Sequence, residues 1–281
     1  MSIKSIIRKI ALQIISQPKN KVSVEVSSIS YGGILNKQCI VVTGGSKGIG
    51  YSMVKKFVAE GASVIITGRN IEDLKKATEA LGPSARFIQF DNSDISGIEN
   101  FIKDCGHIDS LVLNAGVSFH EGNILNVTEE GYDKQFDINL KANYFLAKAF
   151  LKSKLAKNEG GNLLFLSSET AGKCIDIPYG LTKTAINSLV GGLARRVYEK
   201  GIRVNAIAPG VTYTEMTKGA NVITNDYANN SVAGRFLLPE EIAEVACFII
   251  SNASKCITGE IIYCDAGSHL KINGTESEYS F

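Results

Sequence analysis

Seven short runs rich in β-branched and other apolar residues recur along the chain, separated by stretches with helical spacing of apolar positions. They are CIVVT (39–43), SVIIT (63–67), RFIQF (86–90), SLVL (110–113), NLLFLS (162–167), RVNAI (203–207) and EIIYC (260–264). Between them lie segments such as YSMVKKFVAE, IEDLKKATEAL and PEEIAEVACFII, the last with a proline where a first helical turn tolerates it. Alternation of this kind leaves little choice of architecture. Parallel neighbours need crossover connections, the crossovers are right-handed, and helices then cover both faces of one sheet. The expected fold is α/β, a doubly wound parallel seven-stranded sheet in a single domain. Such a sheet binds ligands beyond the carboxyl ends of its strands, so function is sought in the residues that follow each run.

Length and charge remove other classes. The chain has 281 residues and a net charge of 30 − 28 = +2, too small to imply nucleic acid as a partner. Its longest apolar run, Val245 to Ile250, is six residues, against the roughly 20 of a membrane-crossing helix. Six cysteines without any C-x-x-C pair and three scattered histidines make a metal site an unfavoured expectation. With no secretory leader in view, reduced thiols and a cytoplasmic protein are expected.

Residues 1–36 stand apart, with Lys4, Arg8, Lys9, Lys19 and Lys21 against the single acid Glu25. Ile3, Ile6, Ile7, Ile10 and Ile14 share one helical face, so residues 1–17 read as a basic amphipathic helix. Packing on protein and peripheral contact with a membrane surface both fit it. The domain is expected over 37–270, with a polar tail over 271–281.

After the first run comes TGGSKGIG, and a helix pattern begins at once. Glycines let the backbone turn tightly and approach a pyrophosphate, whose charge is met by the unpaired N–H groups of a helix N-terminus. The turn offers Gly44, Ser46, Lys47, Gly48, Ile49 and Gly50 to a dinucleotide. The stretch GASVIITGRN has no acid about 20 residues past the turn, where an acid would grip the ribose hydroxyl of NAD. Arg69 stands there instead and Lys47 lies in the turn, two cations suited to the 2′-phosphate of NADP. NADP(H) is therefore the preferred cofactor, with NAD(H) as the alternative.

Tyr179 and Lys183 stand four apart at the start of a helical stretch, so they share a face. A nearby ammonium favours a phenolate, which would make Tyr179 a general acid/base near neutral pH. TGGSKGIG, LNAG (113–116), Asn139 in FDINL, Ser168 in LSSETAG, YGLTK (179–183) and APGVTYTEM (208–216) occur in this order. Together they resemble the short-chain dehydrogenase/reductase family, from about Lys37 to Leu270.

The resemblance implies a Rossmann-type domain that moves a hydride between NADP(H) and a ketone or secondary alcohol. By it, Tyr179 protonates the substrate oxygen, Lys183 also holds the nicotinamide ribose, Ser168 binds the substrate carbonyl, and Asn139 holds a water in a proton relay. Ser168 lies 11 residues before Tyr179, about two fewer than is common in the family, so Ser167 stays open beside it. The resemblance also places Asp91 and Asn92 near adenine and Asn114, Ala115 and Gly116 along the cofactor. Pro209, Gly210, Val211 and Thr214 would close over the nicotinamide, within a lid over about 211–238. It implies a small carbonyl or alcohol substrate and a homotetramer, for which IAEVACFII and the final strand are the candidate interface. A 3-oxoacyl-thioester (acyl-carrier-protein) reductase and a non-catalytic dinucleotide-binding sensor are the alternative functions.

Overall fold

The computed structural model describes residues 29–218 and 232–270. All seven expected strands are present: β1 (Cys39–Thr43), β2 (Ser63–Gly68), β3 (Ala85–Gln89), β4 (Ser110–Leu113), β5 (Gly161–Leu166), β6 (Ile202–Pro209) and β7 (Ile261–Cys264). They form one parallel sheet in the order β3-β2-β1-β4-β5-β6-β7. The order reverses between β1 and β4, which opens a crevice above the ends of those two strands.

Two apolar layers hold the helices on. On one face α3 (Ile98–Cys105), α5 (Ala142–Lys157) and α6 (Pro178–Val197) pack around Leu111, Leu113, Phe150, Phe165 and Ile186. On the other, α1 (Gly48–Ala59), α2 (Ile71–Leu81) and α8 (Pro239–Ile250) pack around Ile40, Val42, Phe57, Ile66 and Cys247. The central strands are buried on both sides, which is why they read as continuous apolar runs. Two shorter helices, α4 (Glu129–Gln135) and α7 (Glu215–Lys218), lie at the carboxyl end of the sheet.

Six residues of α8, from Ile242 to Ile250, are buried, and α8 packs mainly on α1. The apolar stretch expected to serve an interface is therefore largely occupied by the core, leaving Val245 and Phe248 half-buried.

The amino-terminal boundary also moves. Residues 29–36 are packed on the domain: Leu35 is fully buried, its N–H donates to the Glu60 carbonyl at 3.1 Å, and the Glu60 carboxylate accepts from Tyr31 and Gly33 N–H. The Lys56 ammonium, buried between Glu60 and Glu244 at 3.0 Å each, donates to the Ile29 carbonyl. Charge composition could not see this, because the decisive contacts are one leucine and a row of backbone groups. Residues 1–28, with the isoleucine face, lie outside the described residues. Deleting 1–28 is expected to leave the thermal midpoint within about 2 °C, whereas deleting 1–36 removes a fully buried leucine. The second deletion should cost roughly 2–5 kcal/mol and lower the midpoint by roughly 5–15 °C. Equal midpoints for the two truncated chains would refute the Leu35 anchor.

Candidate active site

The glycine turn is built by close approach. Gly44 and Gly48 take φ of +65° and +55°, and a Cβ on Gly50 would lie 2.3 Å from the Gly44 carbonyl oxygen. Thr43 and Asn114 brace it from below. The Asn114 side-chain amide donates to the carbonyls of Thr43 (2.9 Å) and Gly44 (3.1 Å), while Thr43 Oγ1 accepts from the N–H groups of Asn114 and Ala115. Asn114 thus holds the cradle rather than offering its amide to a ligand. α1 then begins with no side-chain cap and no acid in its first turn, so its leading N–H groups suit an anion. Ile49 is half-buried against the core and Ser46 stands beside Gly68 at the end of β2.

The cavity suits a dinucleotide on a second observation: Asn92, at the end of β3, is buried and its side-chain amide nitrogen has no partner among the described residues. Its neighbour Asp91 is exposed and caps its own turn, accepting from Ser93 N–H and Oγ. Arg69 is exposed at the end of β2, where it and Ser93 line an open cleft faced by Glu129, Glu130, Asp133 and Asp137. Lys47 is already engaged, 2.8 Å from Asp73 and 3.6 Å from Glu215. Of the two expected cations, only Arg69 lacks an acid partner within salt-bridge reach among the described residues.

Beyond β5, the adjacent serines separate. Ser167 Oγ donates to Asn187 Oδ1 at 2.6 Å, whereas Ser168 Oγ accepts from Thr170 N–H and Oγ1 and is the hydroxyl that works to lower the Tyr179 pKa. Ser168 is thus the serine beside the tyrosine. Tyr179 lies in the first turn of α6, half-buried, and Lys183 one turn later is 3% exposed with its Nζ 5.6 Å from the Tyr179 ring centroid. That Nζ donates to the Leu166 carbonyl at 2.7 Å.

The expected lowering of the phenol by the ammonium is not found, and the Tyr179 pKa is raised instead. Burial raises the Tyr179 pKa, the Ser168 hydrogen bond works against this, and the Glu169 charge adds to it. Lys183 is itself desolvated and pushed down to about 8. Four-residue spacing does bring the two side chains together, but for each of them desolvation is the largest influence.

Asn139 is fully buried in a π-helical turn, Phe136–Lys141, that joins α4 to α5. Such turns recur at functional sites. Its amide clasps Val117, accepting from Val117 N–H and donating to its carbonyl, both at 2.8 Å, and its own carbonyl accepts from Asn143. A Cβ on Gly116 would lie 3.2 Å from Asn139 Oδ1 and 3.7 Å from Lys183 Nζ, so that glycine lets the strand end approach both. The loop after β6 folds over the glycine turn: a Cβ on Gly48 would lie 3.3 Å from Thr214 Cγ2, and one on Gly210 would lie 3.0 Å from Asp265 Cα. The Val211 carbonyl is taken by Leu237 N–H. Pro209 ends β6 in register with Cys264. Residues 219–231, the middle of the expected lid, lie outside the described residues.

Sequence reasoning missed the bracing role of Thr43 and Asn114. A threonine closing an apolar strand just before a glycine turn was the available signal for the first.

A family model described as enoyl-(acyl carrier protein) reductase matches residues 44–269. Galactitol 2-dehydrogenase of Agrobacterium fabrum is 32% identical over 254 residues, covering 84% of this chain and 99% of that protein. The chain belongs to the short-chain dehydrogenase/reductase family. As a member of that family it is a nicotinamide-dependent oxidoreductase of alcohol and keto groups. A 3-oxoacyl-[acyl-carrier-protein] reductase of Chlamydia trachomatis is 33% identical, over 84% of this chain and 98% of that one. Among solved dehydrogenases of this fold, a putative 2-deoxy-D-gluconate 3-dehydrogenase from Agrobacterium tumefaciens with bound NADP has TM-score 0.78 and 30% identity, covering 86% and 100% of the two chains. A 3-ketoacyl-(acyl-carrier-protein) reductase from Brucella melitensis complexed with NADH has TM-score 0.77 and 26% identity, covering 84% and 99%.

Proposed function

We propose that the protein transfers a hydride between NADP(H) and a small secondary alcohol or ketone, with Tyr179 as acid/base. The observation that supports this most directly is the convergence on Tyr179 of the buried Lys183, whose Nζ lies 5.6 Å from the ring centroid, with Gly116 placed so that a Cβ there would meet both Lys183 Nζ and Asn139 Oδ1. The bound nicotinamide supplies or accepts the hydride. Ser168 orients the substrate oxygen and donates to it. Tyr179, kept protonated by burial, gives that oxygen its proton in reduction and takes it back in oxidation. Lys183 binds the ribose, and Asn139 positions Val117 and Gly116 beside it.

The cofactor-binding set is Gly44, Ser46, Gly48, Ile49 and Gly50 in the turn, Asn92 and Gly116 at strand ends, and Arg69 at the 2′-phosphate. With Lys47 tied to Asp73, Arg69 alone is left to select NADP. Arg69→Ala should lower kcat/KM with NADP at least about tenfold, the loss of one charge-assisted contact, and leave the value with NAD within about threefold. Steady-state kinetics with both cofactors checks this, and a wild-type preference for NAD overturns it.

A small substrate is preferred over an acyl carrier because loops 117–128, 169–177 and 210–217 around the site carry Glu121, Glu169, Asp176 and Glu215 against one basic residue, Lys173. An acidic carrier would meet like charge there. We further read the protein as cytoplasmic and homotetrameric. All six cysteines are free thiols, and Tyr144, Leu155, Leu181 and Tyr198 on and beside α5 and α6 remain exposed. Among the described residues no helix is long and apolar enough to cross a membrane.

A further inference from the structure

The turn that follows β7 holds a buried acid with a histidine against it, and neither has a task in the hydride chemistry. Asp265 is 2% exposed, and its carboxylate accepts three hydrogen bonds from within the turn: from Gly267 N–H at 3.0 Å, His269 N–H at 2.7 Å and His269 Nδ1 at 2.8 Å. An ionised carboxylate only accepts, so Nδ1 carries the proton. Tyr263, in β7, stacks on the imidazole with ring centroids 3.8 Å apart. The backbone is strained here, because Ala266 and Gly267 take φ of +52° and +82° in succession and the first lacks the freedom of glycine. Backbone N–H groups alone close a turn around an aspartate. The imidazole is an addition to it.

The addition joins two loops of the site. Asp265 supports the loop after β6: Gly210 N–H donates to the Cys264 carbonyl at 2.9 Å, and a Cβ on Gly210 would lie 3.0 Å from both Asp265 Cα and Cβ. That loop runs on to Thr214, which covers Gly48 of the dinucleotide cradle. Tyr263 bears on the other loop. A Cβ on Gly172 would lie 2.9 Å from the Tyr263 hydroxyl and 3.2 Å from its Cε1 and Cζ, and Gly172 ends the 3-10 turn Glu169–Gly172 that Ser168 caps. His269 links the two supports, bonded to Asp265 by its edge and stacked on Tyr263 by its face.

We propose that His269 is a positioning residue for hydride transfer. By locking Asp265 to Tyr263 it fixes the loop that covers the dinucleotide cradle relative to the turn that carries Ser168. This rests on the hydride-transfer reading above. A hydride passes only between carbons held in near contact, and a misplacement of about 1 Å costs about a hundredfold in rate. His269 acts through its neighbours, not on the reacting atoms.

Hydrogen exchange in the cofactor-free protein reads the coupling directly. His269→Leu should speed amide exchange at least about tenfold in peptides covering 169–174 and 210–217, and leave β1, β2 and β4 unchanged. Kinetics with NADPH or NADH and cyclohexanone, butane-2,3-dione or dihydroxyacetone should show kcat per cofactor-binding site lowered at least about tenfold, with the cofactor Kd within about threefold. His269→Asn, which keeps a donor for Asp265 but has no ring to stack, should fall between in both measurements. If the leucine variant does not fold, the asparagine variant decides, and wild-type exchange in both loops there overturns the inference. Faster exchange confined to 265–270 overturns it as well. So does an unchanged kcat per binding site with fewer molecules able to bind cofactor, which would make His269 a staple of the fold. In each of these cases a wild-type protein that reduces ketones leaves the hydride-transfer reading standing. Turnover of none of the three ketones, nor of their alcohols, with either cofactor would overturn that reading and this inference with it.

Discussion

Tyr179→Phe should lower kcat by about 10² to 10⁴, the usual contribution of a positioned general acid/base. In energy that is roughly 3–5 kcal/mol of transition-state stabilisation. The variant keeps the ring, its packing over Lys183 and the start of α6, and loses only the hydroxyl. Its thermal midpoint should therefore stay within about 2 °C of wild type, and cofactor titration should give a similar Kd. In the oxidative direction the wild-type rate should rise with pH, because burial holds the phenol above its ordinary value and the alcohol needs a deprotonated acceptor. The phenylalanine variant should lose that rise. Turnover within about tenfold of wild type would remove Tyr179 from the proton transfer.

Lys183→Met should separate stability from activity. Burial lowers the lysine pKa from 10.5 to about 8, so the fold disfavours its charge. At pH 7 the group is protonated in both the folded and unfolded chain, and at about 1.4 kcal/mol per pH unit the burial costs on the order of 3 kcal/mol. The hydrogen bond to the Leu166 carbonyl returns about 1 kcal/mol of that. The methionine variant of the cofactor-free protein should therefore be more stable by roughly 2 kcal/mol, a rise of roughly 4–8 °C in midpoint. Between pH 8 and 10.5 the unfolded chain binds more protons than the folded one, so wild-type stability rises with pH and the gap narrows. Activity should fall by at least about a hundredfold at every pH, with weaker cofactor binding. A methionine variant less stable than wild type at pH 7 would show that the ammonium is better accommodated than its burial implies.

Much of this architecture was legible from one-dimensional patterns, because those patterns are set by the sheet itself. A strand buried on both faces must be apolar throughout, so β1, β4 and β6 announced themselves. A chain that turns within bonding distance of its own carbonyl must have glycine at Gly50, and a helix fixes what four residues of spacing bring together, so Tyr179 and Lys183 could be paired by counting.

The tertiary structure decided what depends on contacts across long stretches of chain. Leu35 belongs to the core because it docks beside Glu60, 25 residues on, and no charge count reports that. Ser167 and Ser168 are alike in sequence and are divided by Asn187, which takes the hydroxyl of the first, and Thr170, which bonds that of the second. Lys47 looked like a phosphate ligand until Asp73 and Glu215 were placed beside it. The sign of the Tyr179 shift could not be read from spacing either. A Coulomb attraction is legible from who is near whom along a helix, but desolvation depends on every atom that excludes water, and those come from the whole fold.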